Sequence, residues 1–183
     1  YAGNHGLEIE GPGLKLINPM AQAAKAEMKD LAGQFSARLG GIEGTIVEDK
    51  GLSLSIHYRL VKQDEVDTAA EIFQQITSPW LQKGKIRITS GKKVWEVRPP
   101  IDWHKGKAVE TITKEIKATH DGEQLLTIYL GDDTTDEDAF RIIHRPQGWS
   151  IFVGEEKPSS NADYFLTATS EVMAFLSSLR ELK

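Results

Sequence analysis

The sequence contains no cysteine, which excludes disulfide scaffolds, thiolate zinc sites and cysteine nucleophiles together. It also lacks long apolar runs: the longest interior run, residues 125–130, is interrupted by Thr127 and is far shorter than the ~20 residues that a membrane-spanning helix needs. Positive charge is scarce, because 22 Lys and Arg stand against 27 Asp and Glu, for a net charge of −5. Such a balance argues against non-specific nucleic-acid binding, which depends on neutralising phosphates. We therefore expect a cytoplasmic protein that binds neither membranes nor nucleic acid, with local positive charge or a metal to hold any anionic ligand.

The remaining composition is that of a globular protein, with 183 residues, 39% hydrophobic and 27% charged. This length suits one large domain or two small ones. The chain begins at Tyr1 without a methionine, and residues 2–6 resemble the interior of a folded domain. We expect the N-terminal part of that domain to lie upstream of this sequence.

Residues 18–99 are predicted to form an α+β unit with two helices on one face of a four-stranded antiparallel sheet. Apolar spacings of three or four residues predict the helices, and alternation predicts the strands. The order is α-β-β-α-β-β, with helices over 19–39 and 64–81 and strands over 45–48, 52–60, 85–90 and 94–98. A hairpin over 7–17 precedes this unit and Pro99-Pro100 ends it, so both segments are candidate hinges.

After the double proline, strands alternate with helices, a pattern typical of a parallel, doubly wound sheet. The predicted helices are 105–119, 135–144 and 171–182, and the predicted strands are 124–130, 149–153 and 162–166. Strand 124–130 is apolar enough to be buried on both faces. The fold class is therefore α/β: a Rossmann-like core of residues 1–17 and 100–183, incomplete at its N-terminus, with residues 18–99 inserted as a second domain.

Five carboxylates occur within seven residues directly after strand 124–130, at the sheet edge where open parallel sheets bind ligands. Hard oxygen ligands at this edge suit Mg²⁺, which takes one or two carboxylates and completes its coordination with water and phosphate. Helix capping is the alternative, because Thr134 and Glu137 have the spacing of a capping box and acidic residues favour a first helical turn. Capping accounts for Glu137 and Asp136 but not for Asp132 and Asp133, so a metal site is favoured.

Gly131–Phe140 resembles the fourth motif of the haloacid dehalogenase superfamily, in the form typical of the trehalose-6-phosphate phosphatase family. Further segments agree with that family in order and spacing, and together the matches cover nearly the whole chain. These segments are Gly3-Asn4-His5-Gly6, Val47-Glu48-Asp49-Lys50-Gly51, Ser55-Ile56-His57-Tyr58-Arg59, Glu96-Val97-Arg98-Pro99 and Lys105-Gly106-Lys107-Ala108. The family fold, a cap inserted into a Rossmann-like core, agrees with the independent domain assignment.

The resemblance implies roles for the residues of the core. Asp132 resembles the direct Mg²⁺ ligand, with Asp136 and Asp133 holding coordinated water. Lys105 resembles the catalytic lysine that neutralises the nucleophile and the transferring phosphoryl group. A cation at a helix start is disfavoured by the helix dipole, which also favours a functional role for Lys105.

The resemblance also implies substrate-binding residues. Glu48, Lys50 and Glu96 resemble cap residues that bind sugar hydroxyls, although charges beside strand turns are often simply solvated. Asn4 and His5 are predicted to lie beside the active edge, near a hinge, and to shape the substrate site.

The sequence departs from the family at the nucleophile. The family uses the first Asp of an N-terminal D-x-D-G-T, whereas the one D-x-D here is Asp136-Glu137-Asp138, at a predicted helix start. The resemblance thus implies an Mg²⁺-dependent hydrolase of trehalose 6-phosphate whose nucleophilic Asp lies upstream, with a sugar phosphate as its small-molecule partner. It further implies fusion or association with a trehalose-phosphate synthase. Two alternatives stay open: a non-catalytic sugar-phosphate-binding or regulatory domain, and a phosphatase for another sugar phosphate.

Overall fold

The computed structural model describes residues 1–120, 124–154 and 159–181. The contacts between its residues divide the chain into two units, Tyr1–Asp102 and Trp103–Lys183. This division lies close to the predicted end of the inserted domain at Pro99-Pro100. Residues 1–17 group with the first unit, so their assignment to the core stays a prediction.

A small antiparallel sheet opens the first unit. It has the order β1-β2-β3, from Ala2–Gly3, Glu8–Gly11 and Leu14–Ile17. Strands β2 and β3 form the predicted hairpin, and its turn contains Gly13, whose φ of +71° is a conformation that glycine adopts without strain.

Two helices replace the predicted single helix 19–39. Helix α1 spans Pro19–Ala23 and helix α2 spans Lys25–Leu39, because Ala24 has a ψ of −2° and interrupts the helical geometry. The Asn18 side chain caps α1 by accepting hydrogen bonds from the backbone N–H groups of Met20 and Ala21.

The four-stranded antiparallel sheet has the order β4-β5-β7-β6, in which β6 and β7 follow helix α3 along the chain. The elements are β4 Ile46–Asp49, β5 Leu54–His57, α3 Val66–Gln82, β6 Arg87–Gly91 and β7 Val94–Arg98. Helices α2 and α3 cover one face of this sheet, and their buried side chains, including Phe35 and Phe73, pack on Ile56 and Val97. The predicted order α-β-β-α-β-β is thus the observed one.

Helix α3 contains Pro79 and continues through it. Pro79 lies in the last turn, so its missing N–H removes one hydrogen bond there without ending the helix.

The second unit contains a parallel sheet with the order β10-β9-β8. Its elements are α4 Lys105–Thr119, β8 Thr127–Gly131, α5 Glu137–Phe140, β9 Gly148–Val153, β10 Tyr164–Leu166 and α6 Thr169–Leu179. The parallel pairing is as predicted. Burial of the first strand on both faces was wrong for the described residues: β8 is half-buried along its length, because it lies at an edge of these three strands.

The predicted helix 135–144 is also shorter than expected. A 3₁₀ turn over Thr134–Asp136 precedes α5, which ends at Phe140. The predicted end of the last helix, at Leu182, lies outside the described residues. Over the part of the chain that the structure describes, every helix is too short or too polar to cross a membrane.

Candidate active site

The acidic loop follows β8 at the carboxyl edge of the parallel sheet. Asp132 and Asp133 are exposed there, whereas Asp136 is only 3% exposed. A Cβ atom on Gly131 would lie 2.4 Å from the Asp136 Cγ, so only a glycine lets this carboxylate pack against the end of the strand. The loop therefore presents two carboxylates to solvent and turns the third inward.

The Asp136 carboxylate accepts hydrogen bonds on both oxygens. Its Oδ1 accepts from the Lys105 Nζ at 2.6 Å and from the Tyr129 hydroxyl at 2.7 Å. Its Oδ2 accepts from the backbone N–H groups of Asp132 and Asp133, at 3.1 and 3.0 Å. Burial alone would raise the pKa of Asp136, but these donors, led by Lys105 and Tyr129, outweigh burial and hold the pKa below its ordinary value. Asp136 is therefore an ionised carboxylate that orders the loop and orients Lys105.

Lys105 is the first residue of α4 and is placed there by close helix packing. A Cβ on Gly106 would lie 2.4 Å from the Asp138 carbonyl oxygen, so the start of α4 approaches α5 closely. The Lys105 side chain remains 29% exposed while it contacts Asp136. Its ammonium group is therefore held by one carboxylate and still accessible to an anion.

The capping box of this loop differs from the predicted one. The sequence pairs Thr134 with Glu137, whereas the structure pairs Asp133 with Asp136. The Thr134 hydroxyl instead donates to the Asp133 Oδ1 at 2.9 Å. The Glu137 Oε2 accepts from the backbone and side-chain N–H groups of Asn161, both at 2.8 Å. Capping and the inward ion pair thus use the same carboxylate, Asp136.

The three predicted metal residues differ in how well they suit a cation. Asp132 offers an exposed carboxylate at the carboxyl end of a parallel strand, and Asp133 lies beside it. The lone pairs of Asp136 are occupied by four donors, so a direct metal ligand role does not fit its geometry. Among the described residues no three His, Cys, Asp or Glu side chains converge as a complete metal site. Because Mg²⁺ needs only one or two carboxylates beside water and phosphate, Asp132 and Asp133 fit such an ion.

In the first unit, the predicted sugar-binding residues Glu48 and Glu96 lie on the sheet face opposite the helices. Strand pairing places Glu48 opposite Ser55, Ser55 opposite Glu96, and Glu96 opposite Thr89. Directly opposed residues share a face, so these four side chains form one polar row across all four strands. We call this set the polar row.

Charged neighbours surround Glu48 at one end of the polar row. The His57 Nε2 lies 3.2 Å, and the Lys50 Nζ 3.6 Å, from the Glu48 Oε2. The hydrogen bond from His57, assisted by the Lys50 charge, lowers the pKa of Glu48. The structure thus brings two predicted residues, Glu48 and Lys50, into contact.

Asn4 binds the N-terminal segment to the turn between β4 and β5. Its Nδ2 donates to the Glu8 Oε1 at 2.6 Å and to the Lys50 carbonyl oxygen at 3.0 Å. Its Oδ1 accepts from the Ser53 hydroxyl at 2.6 Å. Because these three bonds occupy its amide, Asn4 holds the turn that carries Lys50.

His5 contacts Glu96, the member of the polar row that lies between Ser55 and Thr89. Its Nε2 lies 2.6 Å from the Arg98 Nη2 and 3.5 Å from the Glu96 Oε1. The Arg98 guanidinium also donates to the Glu96 Oε2. His5 and the Arg98 guanidinium together lower the pKa of Glu96 to about 2, although burial alone would raise it.

The contacting residues that the sequence analysis missed include Tyr129, Arg98 and Thr89. Arg98 belongs to a segment that resembles the family, and its position two residues after Glu96 puts both on one strand face. This spacing could have indicated the pair. Tyr129 and Thr89 carry no comparable signal, because their partners are set by the loop fold and by strand order.

Comparison with known proteins finds one family model over almost the whole chain. The model described as Trehalose-phosphatase matches residues 1–170. The chain is 36% identical to "Probable trehalose-phosphate phosphatase D" of Arabidopsis thaliana over 195 residues, covering 100% of this chain and 51% of that protein. It is 37% identical to "Trehalose-phosphate phosphatase" of Mycobacterium marinum over 169 residues, covering 92% of this chain and 42% of that protein.

A solved structure has a similar fold. The crystal structure of a "trehalose-6-phosphate phosphatase related protein" matches with a TM-score of 0.77 and 20% identity, covering 97% of this chain and 70% of that one. The chain spans about half the length of the two curated relatives.

Proposed function

The chain belongs to the trehalose-phosphatase family, and from this membership we propose that the protein hydrolyses trehalose 6-phosphate to trehalose and phosphate. The proposal concerns the whole protein, because the chain spans about half the length of its curated relatives. It is carried by one observation: Lys105 contacts Asp136 at the carboxyl edge of the parallel sheet, and Asp136 lies in the same loop as the exposed carboxylate of Asp132.

This arrangement suits phosphoryl transfer, in which catalysis consists mainly of positioning and charge stabilisation. Lys105 supplies a compact positive charge for the equatorial phosphoryl oxygens as negative charge redistributes. Asp136 fixes that charge in place through a 2.6 Å contact. Because the Lys105 side chain is held before substrate arrives, it needs little reorganisation during the reaction.

Mg²⁺ is the proposed cofactor, with Asp132 as ligand and Asp133 holding coordinated water. When bound, the ion neutralises phosphate charge and orients the transferring group. Asp136 supports this proposed metal site through hydrogen bonds to the backbone of the loop. Its Oδ2 accepts from the N–H groups of Asp132 and Asp133 and so orients both residues at the end of β8.

The nucleophile is proposed to be an aspartate from a part of the protein outside these 183 residues. Its carboxylate oxygen would form a bond to phosphorus as the bond from phosphorus to the sugar oxygen breaks. The sugar oxygen would gain a proton from the third residue of the D-x-D-G-T motif, which would act as general acid. Water would then attack the aspartyl-phosphate and release phosphate, so that one difficult displacement becomes two easier ones.

The polar row is the proposed sugar site. The pKa of Glu48 is lowered by His57 and Lys50, and that of Glu96 by His5 and Arg98. Ionised carboxylates are strong acceptors for sugar hydroxyls. Lys50 adds a donor beside Glu48.

The experiment that tests this function is a phosphate-release assay on the intact protein, with trehalose 6-phosphate and other sugar phosphates, among them sucrose phosphate, side by side. We expect turnover of trehalose 6-phosphate that EDTA abolishes and Mg²⁺ restores. Turnover of another sugar phosphate, without turnover of trehalose 6-phosphate, would show that the other sugar phosphate is the substrate. Binding without any turnover would support a regulatory, non-catalytic role.

The matched variants for this assay are Asp132→Asn and Asp138→Asn. Asp132→Asn should reduce kcat by at least about 10²-fold, because a metal ligand loses its charge, with an unchanged melting temperature. Asp138, whose Oδ1 pairs with Arg141 at 2.9 Å, lies in the same acidic segment and should tolerate the same change. Near-normal turnover by Asp132→Asn would contradict the metal assignment.

A further inference from the structure

The two carboxylate oxygens of Glu96 have different surroundings. Oε2 accepts from the Arg98 guanidinium and from the Thr89 hydroxyl, the latter at 3.2 Å. Oε1 has only the His5 Nε2 near it among the described residues, at 3.5 Å, which is a long contact. One oxygen of Glu96 is therefore held by the protein, while the other retains capacity to accept.

Arg98 is held between Glu96 and His5. Its side chain is 18% exposed, and its Nη2 contacts both the Glu96 Oε2 and the His5 Nε2. The Nε of Arg98 is buried without a hydrogen-bond partner in the described part of the chain. A buried donor without a partner is energetically unfavourable. The contacts of the Arg98 Nη2 must therefore stabilise the buried position of this side chain.

His5 reaches Arg98 from a strained backbone. His5 has φ 57° and its neighbour Asn4 has φ 50°, both in the left-handed region that residues with a Cβ adopt at a cost. The three hydrogen bonds of the Asn4 side chain hold this conformation. With its proton on Nδ1, the His5 imidazole can accept from the Arg98 Nη2.

We infer that Arg98 is a positioning residue for the sugar site, which holds Oε2 of Glu96 so that Oε1 is left to accept a ligand hydroxyl, and that His5 fixes Arg98 in this role. The inference rests on the proposed function, because it specifies how one residue of the polar row would meet the sugar. A purely structural ion pair would stabilise the fold without affecting ligand affinity through Glu96.

The test is a double-mutant cycle in the intact protein, with Glu96→Gln, Arg98→Gln and the double variant. Each single variant should raise KM for trehalose 6-phosphate about tenfold or more with kcat nearly unchanged, because a hydrogen bond to a charged group is lost from ground-state binding. The double variant should be no worse than Glu96→Gln alone, because Arg98 acts through Glu96. Arg98→Lys should be intermediate, since a lysine keeps the charge but lacks the rigid, planar guanidinium that orients its donors.

The matched control is Arg87→Gln. Arg87 lies directly opposite Arg98 in the sheet and is exposed, and its Nη1 donates to the Ile101 carbonyl oxygen at 3.4 Å. We expect KM within twofold of the unmodified protein. Additive losses in the cycle, or an Arg98→Gln variant with unchanged KM beside an impaired Glu96→Gln, would overturn the inference.

A second readout separates this inference from the proposed function. The side-chain carboxyl carbon of Glu96, assigned in NMR spectra through Glu96→Gln, should titrate at least one pH unit higher in Arg98→Gln than in the unmodified protein, and the melting temperature controls for folding. If the unmodified protein does not hydrolyse trehalose 6-phosphate, the proposed function fails while this titration still reports on Arg98. An unchanged titration would overturn the positioning role whatever the substrate.

Discussion

At the scale of single residues, one buried carboxylate organises the candidate phosphoryl-transfer site. Asp136 binds a lysine, a tyrosine and two backbone N–H groups, and these groups come from α4, from β8 and from the loop itself. Burial and the hydrogen bond to Asp136 raise the pKa of Tyr129, so its phenol remains a donor across the working pH range. One buried carboxylate therefore holds both Lys105 and the start of the acidic loop in place.

The substitution Tyr129→Phe tests this arrangement by removing one donor. We expect the free energy of unfolding to fall by about 1 kcal/mol, the usual contribution of such a hydrogen bond. We expect kcat to fall several-fold, because Asp136, the partner of Lys105, loses one of the donors that hold it in place. Urea denaturation and phosphate-release kinetics measure the two effects. Tyr164→Phe is the control, because Tyr164 is 40% exposed and should tolerate the change. Equal behaviour of the two variants would contradict the role given to Tyr129.

The pKa of Glu96 is about 2, against an ordinary value of 4.5 for a glutamate, and this difference leads to a second prediction for a single residue. A lowered folded-state pKa contributes stability that is present above pH 4.5 and is lost as the pH falls toward 2. The stability advantage of the unmodified protein over Glu96→Gln should therefore be about 2 kcal/mol smaller at pH 3 than at pH 7. Chemical denaturation of both proteins across this range measures it, and a pH-independent difference would show that Glu96 is not held ionised by its neighbours.

At the scale of elements, close approaches decide where glycine is required. Gly131 ends β8 against the Asp136 carboxylate, whereas Gly33, on the exposed face of α2, has nothing within 4 Å of its would-be Cβ. One glycine is thus needed for packing and the other is not.

Alanine at these two positions should have opposite effects. Gly131→Ala should destabilise the protein by about 2 kcal/mol or more, because Asp136 must move and leave buried groups unpaired. Gly33→Ala should stabilise it by about 0.5–1 kcal/mol, because alanine is the better helix former. The denaturant midpoints of both variants, compared with that of the unmodified protein, measure these changes in stability. An unchanged midpoint for Gly131→Ala would mean that the loop can relax to accept the methyl group.

At the scale of the whole molecule, the described residues contain candidate metal and sugar sites. The D-x-D-G-T motif, which the family resemblance implies for the proposed nucleophile, does not occur in the sequence. Residues 1–183 produced alone should therefore release no phosphate from trehalose 6-phosphate, whereas the intact protein should. Thermal melting would show whether the shorter chain is folded, and trehalose 6-phosphate binding whether its sites are formed. Phosphate release by residues 1–183 alone would require a nucleophile within them.

The order of the elements could be predicted from sequence because it depends on local periodicity. The polar row could not, since it depends on the strand order β4-β5-β7-β6, which places Ser55 between Glu48 and Glu96. Five carboxylates in seven residues also look alike in sequence. Which one turns inward depends on Lys105, 31 positions away, so the burial of Asp136 and the resulting change of capping box were not predictable.

The inward carboxylate has a further consequence, for hydrogen exchange with solvent. Asp132 and Asp133 have exposed side chains in a loop, yet their amide protons are held by the Asp136 Oδ2. Exchange at these amides requires an opening that also separates Asp136 from Lys105 and Tyr129. In deuterated buffer this surface loop would therefore be labelled as slowly as a strand, and its labelling rate would report how often the lysine leaves its place.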